Sequence, residues 1–315
     1  MEAKSAVRVL VLGGGPDAER EVSLESSKSV AAALEVAGCK VRREIIDRVD
    51  ASALRALGGG GDVIFPVLHG PWGEGGPLQD ELEKCGKPFV GCKSATARLA
   101  MDKIATKMAA ARVGVPTLIA GVLNARDSVP PFGLPCVIKP VHEGSSVGVH
   151  ICRTVEQWEK GLQAVDADRV KYPHRVYMVE RAAIGAREMT VGVLDGEALP
   201  IVEIKPNLAQ GVEFYDYEAK YNRDDTQYVV GPNLPGDLTK RMQEYAVRVA
   251  KEIGVRHLSR VDFLVDKDDQ PWLLEVNTLP GFTSHSLFPM AANAIGLDFP
   301  KLTKRLVELA MRDGN

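Results

Sequence analysis

The pattern of apolar and polar positions predicts strands and helices that alternate through the first third of the chain. Gly13-Gly14-Gly15 separates the first apolar run from a helical pattern, and a strand, a glycine turn and a helix begin an α/β unit. We therefore expect a Rossmann-like domain over residues 1–95, with a small parallel sheet covered by helices. Strands are predicted at 7–12, 41–46 and 62–68, and helices at 23–36 and 78–85.

Beyond residue 95 the predicted strands follow one another with few helices between them. We expect two further units, over residues 96–180 and 181–315, the second of α+β type. The segment 206–232 is polar and aromatic without a clear period, and a loop of this length in a compact domain often acts as a lid. Strands are predicted at 136–139, 149–152, 176–180, 189–194, 199–205, 259–265 and 272–276, and helices at 101–113, 155–165 and 238–253.

Composition and charge exclude several classes of protein. Hydrophobic residues make up 45% and charged residues 26% of the 315 residues, as in globular proteins. The net charge of −3, without a long basic run, gives no electrostatic support for a nucleic-acid partner. No apolar stretch approaches the roughly 20 residues that cross a bilayer, and no signal-peptide pattern precedes the first strand. The five cysteines form no CxxC pair, so we expect reduced thiols in a cytoplasmic protein.

Two predicted strands carry acidic side chains among apolar neighbours. Asp262 stands between Val261 and Phe263, while Glu275 and Asn277 are two positions apart and face the same side of a strand. Oxygen ligands of this kind suit Mg²⁺, which commonly bridges nucleotide phosphates through one or two carboxylates. A pair of surface acids at strand ends is the alternative, but the cost of burying an acid in an apolar strand favours a metal site.

A lysine and a loop of small residues end the predicted strand at 136–139. Lys139 precedes a loop that runs from Glu143 to Gly148, where backbone N–H groups can approach phosphates closely. The loop does not match the P-loop pattern GxxxxGK[ST], and taken alone it is equally consistent with a plain hairpin. Lys103, at the head of a predicted helix, is a second candidate cation, with a solvated surface lysine as the alternative.

The glycine run at 13–15 raises the alternative of a dinucleotide-binding oxidoreductase. That motif requires a glycine where this chain has Ala18, and an acid at a strand end, whereas Glu35 lies within a predicted helix. The turn is instead followed by a charged cluster that includes Glu19. A carboxylate there either holds a substrate ammonium or merely favours the helix N-terminus.

Two further segments offer polar groups at the ends of predicted strands. His69 follows a buried strand at its carboxyl end, where open α/β sheets bind ligands, although a structural histidine is the commoner case. The segment 278–286 directly follows the predicted metal strand. Its backbone N–H groups and hydroxyls suit an oxyanion and a carboxylate.

Taken together, these segments resemble the D-alanine–D-alanine ligase family, and the resemblance runs from Gly13 to about Pro300. Several independent motifs occur in the order expected of that family. The family implies an ATP-grasp fold behind the Rossmann-like domain, and therefore an α/β protein whose C-terminal part is α+β. The motifs lie at 14–24, 69–79, 101–103, 139–148, 214–221 (FYDYEAKY) and 260–287.

The resemblance implies roles around the first D-alanine. Glu19 corresponds to the acid that binds its ammonium group, and His69 lies at the same subsite. Ser145 and Tyr221 correspond to hydroxyls that hydrogen-bond with Glu19 and lock the lid over the site. Because relatives that use D-lactate tend to carry phenylalanine at the position of Tyr221, we expect this chain to select an amine as the nucleophile.

The resemblance also implies residues for the reacting carbon, the second substrate, ATP and the metal. Arg260, with the backbone N–H of Gly281, corresponds to the oxyanion stabiliser. Ser286 and Leu287 correspond to the residues that bind the carboxylate of the second D-alanine. The lysines that contact the ATP phosphates are Lys103, Lys139 and Lys220, the adenine and ribose acids are Glu180 and Glu188, and the magnesium ligands are Asp262, Glu275 and Asn277.

The chain departs from the family pattern in three places. The family usually has Gly-Glu-Asp-Gly where this chain has Gly at position 75, and Ser259 replaces the usual glycine before the arginine. The strap that begins at Glu180 lacks the usual lysine and bulky residue, and one extra residue separates it from Glu188. These differences affect the expected adenine contacts more than the reacting centre.

The implied reaction is ATP-dependent joining of two D-alanines through an acylphosphate, for peptidoglycan precursor synthesis. The implied cofactor is Mg²⁺ or Mn²⁺, with two ions, and the implied partners are ATP and D-alanine, with no nucleic acid and no membrane. A homodimer through the first domain is expected. The alternatives are a ligase of D-alanine with D-serine or D-lactate, a nucleotide-linked oxidoreductase, and a non-catalytic nucleotide-binding regulator.

Overall fold

The computed structural model describes residues 6–124, 126–205 and 226–314. The described residues form three sheets and the helices that cover them. The strands are β1 (Arg8–Gly14), β2 (Lys40–Ile46), β3 (Val63–Pro66), β4 (Ala120–Val122), β5 (Cys136–Pro140), β6 (His150–Cys152), β7 (Tyr177–Arg181), β8 (Arg187–Leu194), β9 (Glu197–Lys205), β10 (Gln227–Val230), β11 (Leu258–Val265) and β12 (Pro271–Asn277). The helices are α1 (Arg20–Val36), α2 (Ala51–Leu57), α3 (Gly70–Gly73), α4 (Pro77–Cys85), α5 (Ser94–Met101), α6 (Lys103–Arg112), α7 (Val155–Lys171), α8 (Leu238–Ile253), α9 (Leu287–Asn293) and α10 (Phe299–Asp313).

The first sheet is parallel, with β1 between β2 and β3. Its glycine turn is required by close packing, because a Cβ on Gly13 would lie 2.2 Å from Ser27 Oγ of α1. A Cβ on Gly14 would lie 2.4 Å from the carbonyl oxygen of Ile46, and the φ of Gly14 is +100°, a value that favours glycine. The packing of β1 on its neighbours therefore explains the glycine run without a bound dinucleotide.

The other two sheets are antiparallel. The smaller has the order β4-β7-β5-β6, and the larger has the order β10-β9-β8-β11-β12. The predicted combination of a parallel N-terminal sheet with an α+β remainder is therefore observed. In the larger sheet, Asp262 of β11 and Glu275 of β12 are register partners, and the register shifts directly after them.

One apolar core joins the two ends of the chain. Side chains of β1, β3 and α1 pack against those of α9 and α10 in a single cluster. Phe282, in the segment between β12 and α9, lies in this core with its ring 5.9 Å from that of Phe65. Its backbone N–H donates to Ser26 Oγ of α1 at 3.3 Å. This packing draws the segment after β12 to the carboxyl end of β3, where His69 follows.

A second core covers one face of the five-stranded sheet. It contains Ala109 and Ala110 of α6 and Val249 of α8, together with inward side chains of β8, β11 and β12. The helices at 94–112 therefore pack on the C-terminal sheet, although they precede the four-stranded sheet in the chain. The division of the chain at 95 and 180 stays a prediction.

Several details differ from the predicted elements, and the short elements α2, α3, α5 and β4 were not predicted. The helix expected at 101–113 is broken at Asp102, whose carboxylate accepts the backbone N–H groups of Ile104 and Ala105 at 2.9 Å and so caps α6. The predicted lid segment 206–232 contains strand β10 near its end, while its residues 206–225 lie outside the described part of the chain. The C-terminal helices α9 and α10 were not predicted, because apolar runs near 287–313 were not recognised as helical.

Two other findings concern the cysteines and the described helices. All five cysteines are free thiols, and four of them are buried. Within residues 6–124, 126–205 and 226–314, the helices are all too short or too polar to cross a bilayer.

Candidate active site

Glu19 and Ser145 meet across two sheets of the molecule. Glu19 lies directly before α1, at the carboxyl end of β1, and its carboxylate accepts a hydrogen bond from the Ser145 hydroxyl. A Cβ on Gly144 would lie 3.5 Å from Glu19 Oε2, so the backbone of this loop also passes close to the acid. Ser145 and Ser146 both have left-handed backbone conformations, with φ of 49° and 59°. Such conformations are costly for serine and often occur at binding sites.

His69 lies next to this pair and is neutral. Burial lowers the pKa of the imidazole, although the nearby Glu19 carboxylate opposes that shift. The ring Nδ1 lies 3.0 Å from the carbonyl oxygen of Leu279, so Nδ1 carries the proton and Nε2 is the acceptor. Nε2 is buried and has no hydrogen-bond partner among the described residues. It therefore presents a lone pair beside a carboxylate, an arrangement suited to an ammonium group.

Glu74, which was not predicted as a site residue, is a second carboxyl of this pocket. It is 8% exposed, and its Oε1 accepts the backbone N–H of Gly70 at 3.2 Å. Burial raises the pKa of Glu74 well above its ordinary value, and the negative charges of Glu19 and Glu275 raise it further. Glu74 is therefore a neutral acid. In the sequence it lies just beyond a buried strand and within the family motif at 69–79, but neither pattern indicated that it would be buried.

The three predicted metal ligands lie on two neighbouring strands. Asp262 and Glu275 face each other across β11 and β12, and Asn277 is the register partner of Arg260. Two carboxylates and an amide oxygen form a donor set that fits Mg²⁺. Within the described ranges, no group of three or more His, Cys, Asp or Glu side chains could hold a metal ion.

Arg260 and Asp262 are paired with each other. The guanidinium Nε and one Nη of Arg260 lie 2.9 and 2.8 Å from the two carboxylate oxygens of Asp262, and Thr190 Oγ1 donates to Asp262 at 2.6 Å. Both charged residues project from the same face of β11, since they are two positions apart. Asp262 is only 4% exposed. The hydrogen bonds from Arg260 and Thr190 therefore compensate for the loss of water around its buried carboxylate.

Two lysines and an acid line the cleft between the antiparallel sheets. Lys103 Nζ lies 3.4 Å from Glu275 Oε2 and donates to the carbonyl oxygen of Glu143 at 2.6 Å. Lys139 Nζ lies 2.5 Å from Glu180 Oε2. The side chain of Glu180 also contacts Lys107 of α6, a residue that the sequence analysis missed.

The cleft itself has a volume of about 430 Å³. Its walls carry the phosphate-binding loop predicted at 143–148, the strap at 181–186, and the predicted ribose acid Glu188. Glu275, one of the predicted metal ligands, and the strap residues line the same cleft. The size and the mixture of apolar and charged walls suit a nucleotide.

The predicted residues after β12 lie together. A Cβ on Gly281 would be 3.5 Å from Ser286 Oγ, which accepts the backbone N–H of Thr283 at 3.0 Å. Leu287 is the first residue of α9 and is buried. The structure thus brings Gly281 and Ser286 into one turn that packs against the first sheet. Lys220 and Tyr221 lie outside the described residues.

Comparisons with known proteins place the chain among ligases. A family model described as the D-ala D-ala ligase C-terminus matches residues 124–308. A D-alanine–D-alanine ligase of Glaesserella parasuis is 40% identical over 309 residues, which cover 96% of this chain and 98% of that protein. The corresponding ligase of Ectopseudomonas mendocina is 41% identical over 306 residues, covering 96% and 94%.

Solved structures agree with these matches. The D-alanine–D-alanine ligase of Bacillus anthracis, complexed with ATP, has a TM-score of 0.80 and 27% identity, with 98% of each chain covered. The ligase of Coxiella burnetii has a TM-score of 0.79 and 25% identity, covering 98% of this chain and 94% of that one. The ATP-grasp fold expected from the sequence is thereby confirmed.

Proposed function

Because the chain belongs to the D-alanine–D-alanine ligase family, we propose that it joins two D-alanines at the meeting point of Glu19, Arg260 and the cleft. The chain is an ATP-dependent ligase of this family, and the roles of its individual residues are our proposal. The observation that carries the proposal is the contact between Glu19 and Ser145. This contact joins the proposed ammonium site at Glu19 to the loop that lines the nucleotide cleft.

The first D-alanine binds with its ammonium between Glu19 and His69. Glu19 supplies negative charge, and the neutral imidazole of His69 offers Nε2 as an acceptor. The hydroxyl of Ser145 holds the Glu19 carboxylate in place, and Tyr221 is assigned to the same network by the family resemblance. The substrate carboxylate then points towards Lys103 and Glu275, where the end of the cleft carries the phosphates.

ATP fills the cleft with its phosphates at the Lys103 end. Lys103 and Lys139 neutralise the charge that develops during phosphoryl transfer, and Lys220 joins them from the segment outside the described residues. Glu188 meets the ribose, and the strap that starts at Glu180 meets the adenine. Mg²⁺ or Mn²⁺, as two ions, would be held by Asp262, Glu275 and Asn277 and would supply neutralisation of the phosphate charge.

The reaction has two steps. An oxygen of the first D-alanine carboxylate attacks the γ-phosphorus, the bond to ADP breaks, and an acylphosphate forms. The amine of the second D-alanine, held by its carboxylate at Ser286 and Leu287, then attacks the carbonyl carbon after losing a proton. The carbon–oxygen bond to phosphate breaks and inorganic phosphate leaves. Arg260 and the backbone N–H of Gly281 stabilise the oxyanion between these events.

The decisive experiment measures phosphate release with ATP, Mg²⁺ and D-alanine present together and with each omitted in turn. We expect release only when all three are present, with one D-alanyl-D-alanine formed for each phosphate. An oxidoreductase would instead change nicotinamide absorbance, and a nucleotide-binding regulator would bind ATP without turnover. Phosphate release that does not depend on D-alanine would contradict the proposal.

The identity of the nucleophile needs a separate test. With Tyr221 in place, the expected product is the dipeptide and not the ester formed with D-lactate. D-alanine is offered with an equal amount of D-lactate at pH 6 and pH 8, and in a second mixture with an equal amount of D-serine. The products are separated by chromatography. Dominant ester at both pH values, or dominant product with D-serine, would identify one of the alternative ligases.

Two further proposals concern the assembled protein. We infer a cytoplasmic enzyme of peptidoglycan precursor synthesis that forms a homodimer through its first α/β unit. Light scattering of the purified chain at several concentrations tests the dimer. A single mass of one chain, 34.1 kDa, at all concentrations would contradict it.

A further inference from the structure

Helix α6 carries two lysines on one face. Lys103 and Lys107 are four positions apart, so their side chains leave the helix in the same direction. Lys103 reaches Glu275 and the carbonyl oxygen of Glu143, as described above. Lys107 reaches Glu180, and its Nζ also lies 3.2 Å from the carbonyl oxygen of Leu118. The reaction described so far uses Lys103 and gives Lys107 no part.

Glu180 lies between two ammonium groups. Its Oε1 contacts Lys107 and its Oε2 lies 2.5 Å from Lys139 Nζ. All three side chains are buried, with Glu180 2%, Lys139 5% and Lys107 8% exposed. A buried carboxylate is strongly destabilising without a partner, so at least one lysine must stay with it. Two cations and one anion leave an excess of one positive charge beside the cleft.

The two lysines differ in their access to the cleft. Lys139 and Glu180 belong to its walls, whereas Lys107 is not among the cleft-lining side chains of residues 6–124, 126–205 and 226–314. Lys107 therefore acts on a nucleotide only through Glu180. Lys139 can turn its ammonium towards a phosphate, and when it does so Glu180 keeps a counterion only if Lys107 is present.

We propose that Lys107 is a positioning residue, the permanent counterion of Glu180 that leaves Lys139 free to bind the phosphates of ATP. This inference rests on the proposed function, in which Lys139 meets the phosphates. Burial lowers the pKa of Lys107 and the nearby Lys139 adds to that effect, whereas the Glu180 carboxylate opposes it and so favours the charged ammonium. Burial alone would raise the pKa of Glu180, but Lys139 and Lys107 more than offset that effect, so the pKa is lowered and the carboxylate stays charged.

The test is the Lys107→Met variant, whose side chain keeps most of the length of lysine but lacks the charge. Its affinities for ATP, ADP and adenosine are measured by titration calorimetry beside those of the parent protein. Without Lys107, Lys139 is the one ammonium that residues 6–124, 126–205 and 226–314 place on Glu180. We therefore expect ATP and ADP to bind about tenfold more weakly, while adenosine, which has no phosphates, changes less than about threefold. Lys107→Arg is the matched control and should retain the parent affinities.

The double variant Lys107→Met/Glu180→Gln separates positioning from a general loss of structure. Because the buried negative charge is removed together with its counterion, Lys139 is released again. ADP affinity relative to adenosine should recover towards the parent value in the double variant. If Lys107→Met alone fails to fold, the double variant is compared directly with the parent protein. In steady-state assays the Lys107→Met single variant should raise KM for ATP and leave kcat nearly unchanged.

Three outcomes would overturn the inference. They are parent-like ATP affinity in Lys107→Met, an equal loss of adenosine and ATP affinity, and a double variant that binds ADP as weakly as the single one. Failure of the proposed function has a different signature, because the parent protein itself would then release no phosphate with D-alanine. If the parent protein turns over normally and the ATP affinity of the Lys107→Met variant is unchanged, only the proposed role of Lys107 is contradicted.

Discussion

Glu74 and Glu180 are two buried carboxyl groups of the same active site whose pKa values are shifted in opposite directions. Glu74, beside the amino-acid pocket, has the charges of Glu19 and Glu275 near it, and burial raises its pKa well above the ordinary value, which favours the protonated acid. Glu180, at the nucleotide cleft, has Lys107 and Lys139 on its two oxygens, and its pKa is lowered. Burial is similar in both cases, so the neighbours decide the charge.

The difference matches what each half of the site must bind. In the proposed reaction the amino-acid pocket holds an ammonium on Glu19, and a second full negative charge at Glu74 would add repulsion without a substrate charge to match it. The nucleotide cleft must attract a polyphosphate, and there a surplus lysine is useful. The same residue type thus contributes a hydrogen-bonding acid in one region and a fixed countercharge in the other.

The largest expected effect tests the difference between Glu74 and Glu180 directly. Glu180→Gln removes the carboxylate between two buried lysines, and breaking such a pair costs about 3–5 kcal/mol. Glu74→Gln replaces a neutral acid by a neutral amide of the same shape and should cost less than about 1 kcal/mol. Urea unfolding of both variants at pH 7 measures the difference. Equal losses of stability in the two variants would show that the neighbours do not set the charges.

Arg260→Ala tests the border between the two regions. Loss of an oxyanion donor should lower kcat by about 10²–10³, while ATP binding is largely retained. Arg260→Lys, which keeps the charge, is the control and should recover part of the rate. Turnover and calorimetric ATP binding are measured on both variants. If the Ala variant no longer binds ATP, the pairing of Arg260 with Asp262 matters more to the nucleotide site than to the oxyanion.

The pH dependence of stability gives a smaller effect with a defined sign. A carboxyl whose pKa is raised on folding contributes stability that is complete below its ordinary pKa of 4.5 and is lost as the pH rises through the raised value. The stability of the parent relative to Glu74→Gln should therefore fall as the pH rises from 4.5. The stability of the parent relative to Glu180→Gln should change in the opposite direction. Because folding lowers the pKa of Glu180, the parent loses this stability as the pH falls. Denaturant unfolding across this pH range would expose either sign as wrong.

The smallest expected effect concerns Gly75, where the family usually carries aspartate. A Cβ at Gly75 would lie 2.4 Å from the carbonyl oxygen of Pro71, so the turn before α4 must shift to accept any side chain. We expect Gly75→Asp to lower stability by about 1–3 kcal/mol and to weaken D-alanine binding through Glu74. Gly60→Asp is the control, because a Cβ there meets no atom within 4 Å. Thermal unfolding measures the stability of both variants, and the KM for D-alanine measures the effect on substrate binding. A Gly75→Asp variant as stable as the control would contradict the steric argument.

Several features of the site were available from the sequence because they depend on local order. The strand that carries Asp262 and the one that carries Glu275 were recognised by their apolar runs, and a period of two residues fixed which side chains share a face. Family motifs then supplied candidates such as Glu19 and Ser145, which the structure brings into contact. Lys107 was missed because a lysine within an alanine-rich helix has no local sign of burial.

The sequence by itself determined the alternation of strands and helices, the glycine turn after β1 and the family to which the chain belongs. Those features depend on short-range sterics and periodicity, which a linear pattern records. Only the tertiary structure decided that α10 packs against α1 and β3, that burial favours the protonated form of Glu74 and that Glu180 contacts two lysines. A pKa and a salt bridge depend on groups far apart in the chain, and their distance in space is set by the packing of whole sheets and helices.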